Sequence, residues 1–405
     1  MSGLKYWLWL TTRRGLDAAG AMTVLDYFVT PERAYYADRE EYGQLPLPAR
    51  ARAGLEDKEL DSADRILADC QRLALRVMTF QDGDYPERLR QIEAPPAVLY
   101  IRGRAPAFDE EAAIAVVGSR EPSRYGEAAA VRLGMELTAG GALVLSGIAE
   151  GLDTCALRGA LKAGGPVVSV LGCGVDVPYP AQNRYLYEDV AAVGALISEY
   201  PPGTEPNWYH FPQRNRILSG LALGVLAVEC KLHSGTMSTV RHAMDQDRDI
   251  FAVPGAIDAP MSEGTNWLIQ QGAKLVTCGR DILEEYESRF PGRLGRGGAI
   301  PPDTLRARAE DVEKTAAVRR GGEEPAAEAP RPETIPRKEQ ADRFTDDQIA
   351  LLRALGEESR SADELVELTG IPARRVLSAL TMLQVQKAVG EEPGRRFSAR
   401  VRLQT

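Results

Sequence analysis

Residues 210–220, HFPQRNRILSG, place two arginines on either side of an asparagine in an acidic chain. The 405 residues include 49 basic and 58 acidic ones, a formal net charge of −9, so Arg214 and Arg216 are not part of a generally basic surface. Such a pair suggests a phosphate site, whereas the simpler alternative is a solvated helix start. Positions i and i+2 of a helix point apart, so the two arginines need not serve one phosphate.

Three other segments combine glycine and serine just before a predicted helix. They are Gly118–Arg120, Ser146–Gly151 and Ser234–Thr236. Glycine lets a ligand approach the backbone, and free N–H groups at a helix N-terminus favour anions. A single loop of this kind is explained by the glycine that tight turns need. Three of them, together with Arg120, Arg214 and Arg216, predict a phosphate-binding edge.

Aromatic residues accompany these segments. Trp208, Tyr209 and Phe211 precede the arginines, and Tyr179 and Tyr185 flank an earlier crossover. A base stacked on an aromatic ring contributes about 1–3 kcal/mol without any sequence readout. Basic groups beside aromatic rings therefore favour single-stranded nucleic acid over duplex. Core packing is the alternative for any one ring, and we prefer it for Tyr185.

The apolar pattern predicts the element that positions these residues. Seven continuous Val/Ile/Leu-rich runs, typical of strands buried on both faces, alternate with helical stretches. We therefore predict an α/β fold with a doubly wound parallel sheet, whose ligands bind outside the carboxyl ends of the strands. The runs are 113–118, 142–147, 166–174, 195–200, 224–230, 249–255 and 273–276, the last containing Lys274; the helices are 125–139, 153–163, 183–192, 214–222, 236–245 and 264–271.

Composition divides the chain into four predicted regions. Residues 1–75 have apolar residues at helical spacing and predict a helical module, and residues 76–290 contain the sheet. Residues 291–340, rich in Pro, Gly, Ala, Glu and Arg, predict a flexible linker. Residues 341–405 read helix, turn, helix and basic hairpin, with a capping box at Ser361 and Glu364, which predicts a winged helix-turn-helix.

Several classes of site are not indicated. The sequence has no P-loop, no complete dinucleotide fingerprint and no recognisable catalytic triad, so we predict no catalytic residue and no cofactor. Its five cysteines are far apart without a CxxC pair, and its three histidines lack metal-ligand spacing, so we predict no metal site. No segment has the length of a membrane span, and we expect a cytoplasmic protein.

The central region resembles the DprA/Smf family of bacterial DNA-processing proteins. The resemblance lies in a series of motifs that occur in order and at consistent spacing. They are DGDYPERL (82–89), PPAVLYIRG (95–103), VVGSREPSRYG (116–126), SGIAEGLD (146–153), SVLGCGVDVPYPAQN (169–183), ISEYPPG (197–203), FPQRNRILSGL (211–221), HSGT (233–236) and VPGAI…GTNWLIQQGAKLV (253–276).

This resemblance implies an extended Rossmann-like α/β domain with a doubly wound, mostly parallel sheet, a SAM-like or helix-hairpin-helix-like N-terminal module and a C-terminal winged helix. It further implies a homodimer that binds single-stranded DNA without strong sequence preference and brings the recombinase RecA onto it during natural transformation. By motif, Arg120 should contact phosphate, and Phe211, Arg214, Asn215 and Arg216 should line the same pocket. Further implied contacts are Gly118, Ser119, Ser146, Gly147, Ser234, Gly235 and Lys274.

The chain departs from the family at two places. Leu157 stands where many members have His, and SGTMSTV replaces the usual SGSLITA. Both substitutions fall on crossover helices, where we expect them to alter packing rather than to abolish DNA binding.

Two rival functions remain open at this point. Nucleotide phosphoribohydrolases of related fold use a GGxGTxxE loop, but Thr239 occupies the place of their acid, which counts against glycosidic chemistry. The other rival function is that of a regulator that binds duplex DNA through the winged helix, since basic residues outnumber acidic ones after Ile371. Arg374 and Arg375 equally fit a solvated face.

Overall fold

The computed structural model describes residues 3–294, 333–335, 340, 344–356, 359–385, 388–392 and 396–404. The chain forms two compact units, a sheet unit over Met1–Glu313 and a winged-helix unit over Lys314–Thr405. Most of the predicted linker, 295–332 and 336–339, lies outside the described residues. Among the residues that the structure describes, none of the helices combines the length and the apolar character that a bilayer span needs.

Six helices precede the first strand, as predicted for residues 1–75. Three of them begin with side-chain caps, in which Asp17, Thr30 and Asp38 accept a backbone N–H three residues ahead. Trp9 is fully buried and belongs to the same core cluster as Tyr100 of the sheet, so the helices are packed onto the sheet. They are α1 (Leu4–Thr11), α2 (Ala18–Phe28), α3 (Pro31–Tyr36), α4 (Arg39–Gly43), α5 (Ala49–Glu56) and α6 (Asp61–Arg72).

A nine-stranded, mostly parallel sheet forms the centre of the sheet unit. The strand order is β1-β2-β6-β5-β4-β3-β7-β8-β9, and all seven predicted strands are present as a parallel set. Two strands that the sequence analysis did not predict, β1 and β2, extend one edge in antiparallel pairing. The strands are β1 (Arg76–Thr79), β2 (Val98–Gly103), β3 (Ala113–Val117), β4 (Leu143–Ser146), β5 (Val167–Leu171), β6 (Ala195–Ser198), β7 (Gly224–Ala227), β8 (Asp249–Ala252) and β9 (Lys274–Leu275).

Helices cover both faces of this sheet, which explains the continuous apolar runs of its strands. One core contains α8, α9, α10 and α14 with the N-terminal helices, and the other contains α7, α11, α12 and α13. Leu157 is fully buried in the first core. The helices are α7 (Glu87–Arg90), α8 (Arg124–Ala139), α9 (Leu152–Lys162), α10 (Arg184–Val193), α11 (His210–Leu221), α12 (Gly235–Asp245), α13 (Glu263–Gln270) and α14 (Arg280–Leu283).

The strand order reverses direction at β3. From β3 the chain proceeds to β4, β5 and β6 on one side, and it then returns to place β7, β8 and β9 on the other side. The loops after β3 and β7 therefore lead to helices on opposite faces of the sheet and leave a crevice between them. This topological switch point is where open α/β sheets bind ligands.

The winged-helix unit contains the predicted helix-turn-helix followed by a small sheet. Thr345 and Ser361 each form a complete capping box, and Gly370 ends the first helix of the motif with a φ of 68°. The strands β11, β13 and β12 form an antiparallel sheet, and β10 pairs with β14. The elements are β10 (Glu333–Ile335), α15 (Asp346–Leu355), β11 (Arg360–Ser361), α16 (Ala362–Thr369), α17 (Ala373–Val385), β12 (Val389–Glu392), β13 (Arg396–Ala399) and β14 (Val401–Leu403).

Arg375, a basic residue of this unit, has a protein partner. The Arg375 guanidinium donates to both carboxylate oxygens of Asp347, at 2.9 and 2.7 Å, and so ties α17 to α15. Lys387 and Arg395 lie outside the described residues.

Candidate nucleic-acid interface

A cleft of about 400 Å³ lies at the topological switch point, outside the carboxyl ends of β3 and β7. Its walls come from the loops after β3 and β4, the first turns of α11, and the start of α12. The structure brings most of the predicted site residues together here, namely Gly118, Ser119, Arg120, Phe211, Arg214, Asn215, Ser234 and Gly235. Ser146, Gly147, Arg216 and Lys274 do not line the cleft.

Arg120 is the exposed cation of this cleft. Its guanidinium lies 5.5 Å from the centre of the Phe211 ring, and it has no hydrogen-bond or ion-pair partner among residues 3–294. Two backbone hydrogen bonds hold Ser119, the residue before it. The Ser119 N–H donates to the Glu229 carbonyl at 2.8 Å, and the Ser119 carbonyl accepts from Leu152 N–H at 3.1 Å. A fixed backbone thus presents a guanidinium whose donors are available to an anion.

The N-terminus of α12 faces the same cleft. Ser234, Gly235 and Thr236 line it, and the Ser234 side chain does not cap the helix. Gly235 is exposed, with open space where a Cβ would stand. The first N–H groups of a helix lack intrahelical partners and carry partial positive charge. Helix α12 and Arg120 therefore direct positive potential into one cleft.

The loop after β4 uses its polar groups internally instead. The buried Ser146 hydroxyl donates to the Val116 carbonyl at 2.7 Å, and the Gly147 N–H donates to Asp153 at 3.1 Å. These bonds leave neither group pointing to a ligand. The similar glycine-serine segments of the sequence therefore have different tasks, since the loop after β4 supports the cleft and the turn before α12 opens onto it.

Side chains that the sequence analysis did not single out hold this supporting loop in shape. Ile148 has a φ of 55°, which is uncommon for a β-branched residue. The Asn183 amide donates to the Ile148 carbonyl at 3.0 Å and to the Thr154 hydroxyl at 2.8 Å. The Thr154 hydroxyl donates in turn to the Ala149 carbonyl at 2.7 Å. Asn183 is the last residue of the SVLGCGVDVPYPAQN motif, so the family resemblance could have indicated it as a candidate functional residue.

Arg214 is buried beneath the cleft, with 5% of its surface exposed. Its Nη1 donates to the Gly147 carbonyl at 3.0 Å and also to the Val170 carbonyl, and its Nε donates to the Asn215 side chain at 3.2 Å. These bonds join α11 to the ends of β4 and β5. The geometry therefore gives Arg214 a structural task, and its predicted contact with phosphate stays a prediction.

Asp153 is the buried carboxylate that interacts electrostatically with Arg214. Burial raises the pKa of Asp153, while the positive charge of Arg214 and hydrogen bonds from the backbone act in the opposite direction. Burial likewise lowers the pKa of Arg214, and Asp153 counteracts this change. Each charge thus offsets part of the cost of burying the other.

Arg216 points away from Arg214, as the i and i+2 spacing predicts. Its Nη2 donates to both carboxylate oxygens of Glu199, at 2.7 and 2.8 Å, and its side chain is 11% exposed. This pair links α11 to the segment after β6, and the predicted contact of Arg216 with DNA stays a prediction.

Phe211 is surrounded by protein on several sides. Its ring centre lies 5.5 Å from that of Tyr179, Arg120 lies over the ring, and a Cβ on Gly172 would stand only 2.9 Å from it. Phe211 is therefore half-buried and offers a base less open ring surface than the sequence analysis expected.

Trp208 lines the cleft and is 82% exposed, so its ring is open to solvent. It meets the Tyr209 ring edge-on at 6.0 Å, and Tyr209 meets His210 at 4.5 Å. His210 stacks on Tyr200 at 3.9 Å, and its Nδ1–H donates to the Gly172 carbonyl at 3.1 Å. Burial lowers the pKa of His210, which favours this neutral form. Trp208 thus stands at the end of an anchored row of rings.

Lys274 lies on β9, the edge strand, and its ammonium donates to Glu284 at 2.9 Å and to Glu285. Because two carboxylates already neutralise it, we expect Lys274→Ala to change the affinity for oligo-dT by less than about twofold. Fluorescence anisotropy over a salt series measures this. A loss comparable to that of an Arg120 variant, with a shallower salt dependence, would place Lys274 in the interface.

The carboxylates at the strand ends are engaged in structural contacts. Glu229 is buried and accepts from the Ser123 N–H at 3.0 Å and from the Ser123 hydroxyl at 2.6 Å, and Glu199 is paired with Arg216. Thr239, at the place of the phosphoribohydrolase acid, is buried and borders the cleft. In the described part of the chain, no group of three or more His, Cys, Asp or Glu side chains is arranged to hold a metal ion.

Two family models match this chain. Residues 76–287 match the family model described as DNA recombination-mediator protein A. Residues 324–395 match the DprA winged helix domain, which begins before the predicted boundary at residue 341.

Curated relatives and a solved structure agree with these matches. The chain is 31% identical over 341 residues to Protein Smf of Synechocystis sp., covering 83% of each protein. It is 41% identical over 206 residues to DNA processing protein DprA of Streptococcus pneumoniae, covering 51% of this chain and 72% of that protein. The X-ray structure of DprA from Streptococcus pneumoniae is similar with a TM-score of 0.61 and 32% identity, covering 69% of this chain and 97% of the other.

Proposed function

Because the chain belongs to the DNA recombination-mediator protein A family, also called DprA/Smf, we propose that it binds single-stranded DNA without strong sequence preference. We further propose that it acts as a homodimer that helps to load the recombinase RecA during natural transformation and recombination, without a catalytic step of its own. Its expected cytoplasmic location remains a prediction of the sequence.

One observation carries the DNA-binding proposal. The Arg120 guanidinium and the start of α12, which has no side-chain cap, face the same cleft. A guanidinium and free backbone N–H groups are donors for phosphate oxygens, which every nucleotide of a strand presents. The exposed Trp208 ring next to them suits bases that are not stacked in a duplex. Phosphate donors combined with an aromatic face favour single strands and do not read sequence.

The RecA and homodimer parts of the proposal are supported by family membership. The winged-helix unit, matched as a DprA winged helix domain, makes the chain similar to the family over most of its length. Pull-down of RecA, with and without oligo-dT, and light scattering of the purified chain test these two parts separately from DNA binding.

The proposal predicts that Arg120→Ala weakens binding to oligo-dT by about 10- to 100-fold, because a charge-assisted contact contributes about 1.5–3 kcal/mol. The slope of log K against log salt should become shallower by about 0.7, the value for one lost contact on a single strand. Fluorescence anisotropy at several salt concentrations measures both quantities.

Arg158→Ala is the matched control, since Arg158 is an exposed arginine on α9 outside the cleft. It should leave the affinity and the salt slope unchanged, and both variants should melt at the temperature of the wild type. Equal binding by the Arg120 variant and the wild type would remove the cleft from the proposal. Absence of binding by the wild type would remove the DNA-binding proposal itself.

A further inference from the structure

Trp208 differs from the other tryptophans in its exposure. Trp9 and Trp7 are buried at 0% and 7% exposure and Trp267 is 37% exposed, whereas Trp208 is 82% exposed. Large aromatic side chains are normally buried because hiding them from water is favourable, so an indole left open on a cleft wall indicates a binding surface.

Trp208 is the outer member of a row of aromatic rings. The row Trp208, Tyr209, His210 and Tyr200 leads from the cleft into the protein, and it ends in two hydrogen bonds. The His210 ring is bonded to the Gly172 carbonyl at 3.1 Å, and the Tyr200 hydroxyl donates to the Gln213 side chain at 3.0 Å. The row anchors the chain segment that carries Trp208, and the indole, edge-on to Tyr209, leaves its face open for a flat group to stack on.

The remaining aromatic residues near the cleft are less available. Phe211 is half-buried between Arg120, Tyr179 and Gly172, and Tyr179 is 42% exposed and leans on Phe211. Stacking on Phe211 would require Arg120 to leave the ring. The open stacking platform is therefore Trp208, and Phe211 instead supports the Arg120 guanidinium.

We infer that Trp208 is a base-stacking subsite, which receives one unpaired base of a strand whose phosphate is held by Arg120 and the start of α12. The inference rests on the proposed binding of single-stranded DNA and adds the residue that recognises the base. A flat ring binds any base, so the subsite has no sequence preference. Duplex DNA keeps its bases stacked within the helix and cannot use it.

The test is intrinsic fluorescence and anisotropy with oligo-dT, an abasic oligomer of the same length, and duplex DNA. Oligo-dT should quench the tryptophan emission of the wild type. Trp208→Ala should abolish the quench and weaken oligo-dT binding by about tenfold. Trp208→Phe should retain most of the affinity, and Trp267→Ala, outside the cleft, should retain both the affinity and the quench.

The abasic oligomer separates stacking from phosphate contacts, because it keeps the phosphates and lacks the bases. Wild type and Trp208→Ala should bind it equally, and they should also bind duplex DNA equally. If Trp208→Ala binds oligo-dT as tightly as the wild type, or loses affinity for the abasic oligomer to the same extent, the stacking subsite is refuted. Failure of the wild type to bind oligo-dT would instead refute the proposed function.

Discussion

Arg214→Met is expected to destabilise the sheet unit by about 3–5 kcal/mol, the typical cost of removing one partner from a buried charged pair. The substitution keeps an unbranched apolar stem but removes the donors to the Gly147 and Val170 carbonyls. It also leaves the buried Asp153 without its opposing charge. The melting temperature should fall by roughly 10 °C, measured by circular dichroism or calorimetry.

Arg241→Met is the matched control for this substitution. Arg241 is an exposed arginine on α12, and its replacement should leave the melting temperature within about 1–2 °C of the wild type. If Arg214→Met melts like this control and yet loses oligo-dT affinity with a shallower salt slope, Arg214 is a phosphate contact rather than a structural residue.

A double substitution tests the partner of Arg214. Asp153→Asn alone removes a buried negative charge and leaves an oxygen that accepts the Gly147 N–H. In the Arg214→Met background, it should recover about 1–3 kcal/mol, because neither charge is then left alone in the core. Strict additivity of the two substitutions would show that Arg214 and Asp153 do not interact.

The sheet was predictable because its strands are buried on both faces. Burial on two sides demands continuous apolar runs, and the run 113–118 could be recognised as β3 without any knowledge of its partners. The strands β1 and β2 were not predicted, because they pair antiparallel at one end of the sheet and precede the repeated strand–helix units from which the parallel sheet was recognised.

The start of α11 shows why the roles of the arginines were harder to predict. The sequence analysis began this helix at Arg214, but the helix begins at His210 and accommodates Pro212 in its first turn. Proline is tolerated there because the first N–H groups of a helix have no intrahelical acceptor. Arg214 therefore lies in the second turn, against the ends of β4 and β5, instead of at an exposed helix start.

Charge alone likewise does not reveal which basic residues are available to a ligand. Arg120 and Lys274 are equally good phosphate partners by type, but Glu284 and Glu285 are bound to the lysine. That pairing depends on how the segment after β9 folds back, which periodicity does not encode. The cleft could be placed from the sequence, whereas the division between supporting and binding residues needed the three-dimensional contacts.

Gly151→Ala should have the second large effect, a loss of about 3 kcal/mol in stability together with weaker binding of oligo-dT. Gly151 has a φ of 80°, and a Cβ there would stand 2.7 Å from the Arg120 carbonyl oxygen and also against the carbonyl oxygen of Ser119. Backbone atoms cannot turn aside as a side chain can, so the peptide carrying Arg120 must move. Urea unfolding gives the stability loss, and anisotropy gives the affinity.

Gly164→Ala is the control for the part of this loss that comes from a positive φ alone. Gly164 has nearly the same φ, 81°, but nothing lies within 4 Å of the Cβ position, so its replacement should cost only the conformational penalty of about 1–2 kcal/mol. The remainder for Gly151→Ala measures the close approach to Ser119 and Arg120 together with the additional cost of the ψ of −128° at Gly151, which lies outside the left-handed helical region. Equal costs at the two glycines, with unaltered DNA binding, would mean that the loop after β4 does not position Arg120. A larger cost at Gly151 with reduced affinity would show that this glycine acts on DNA through the arginine that it supports.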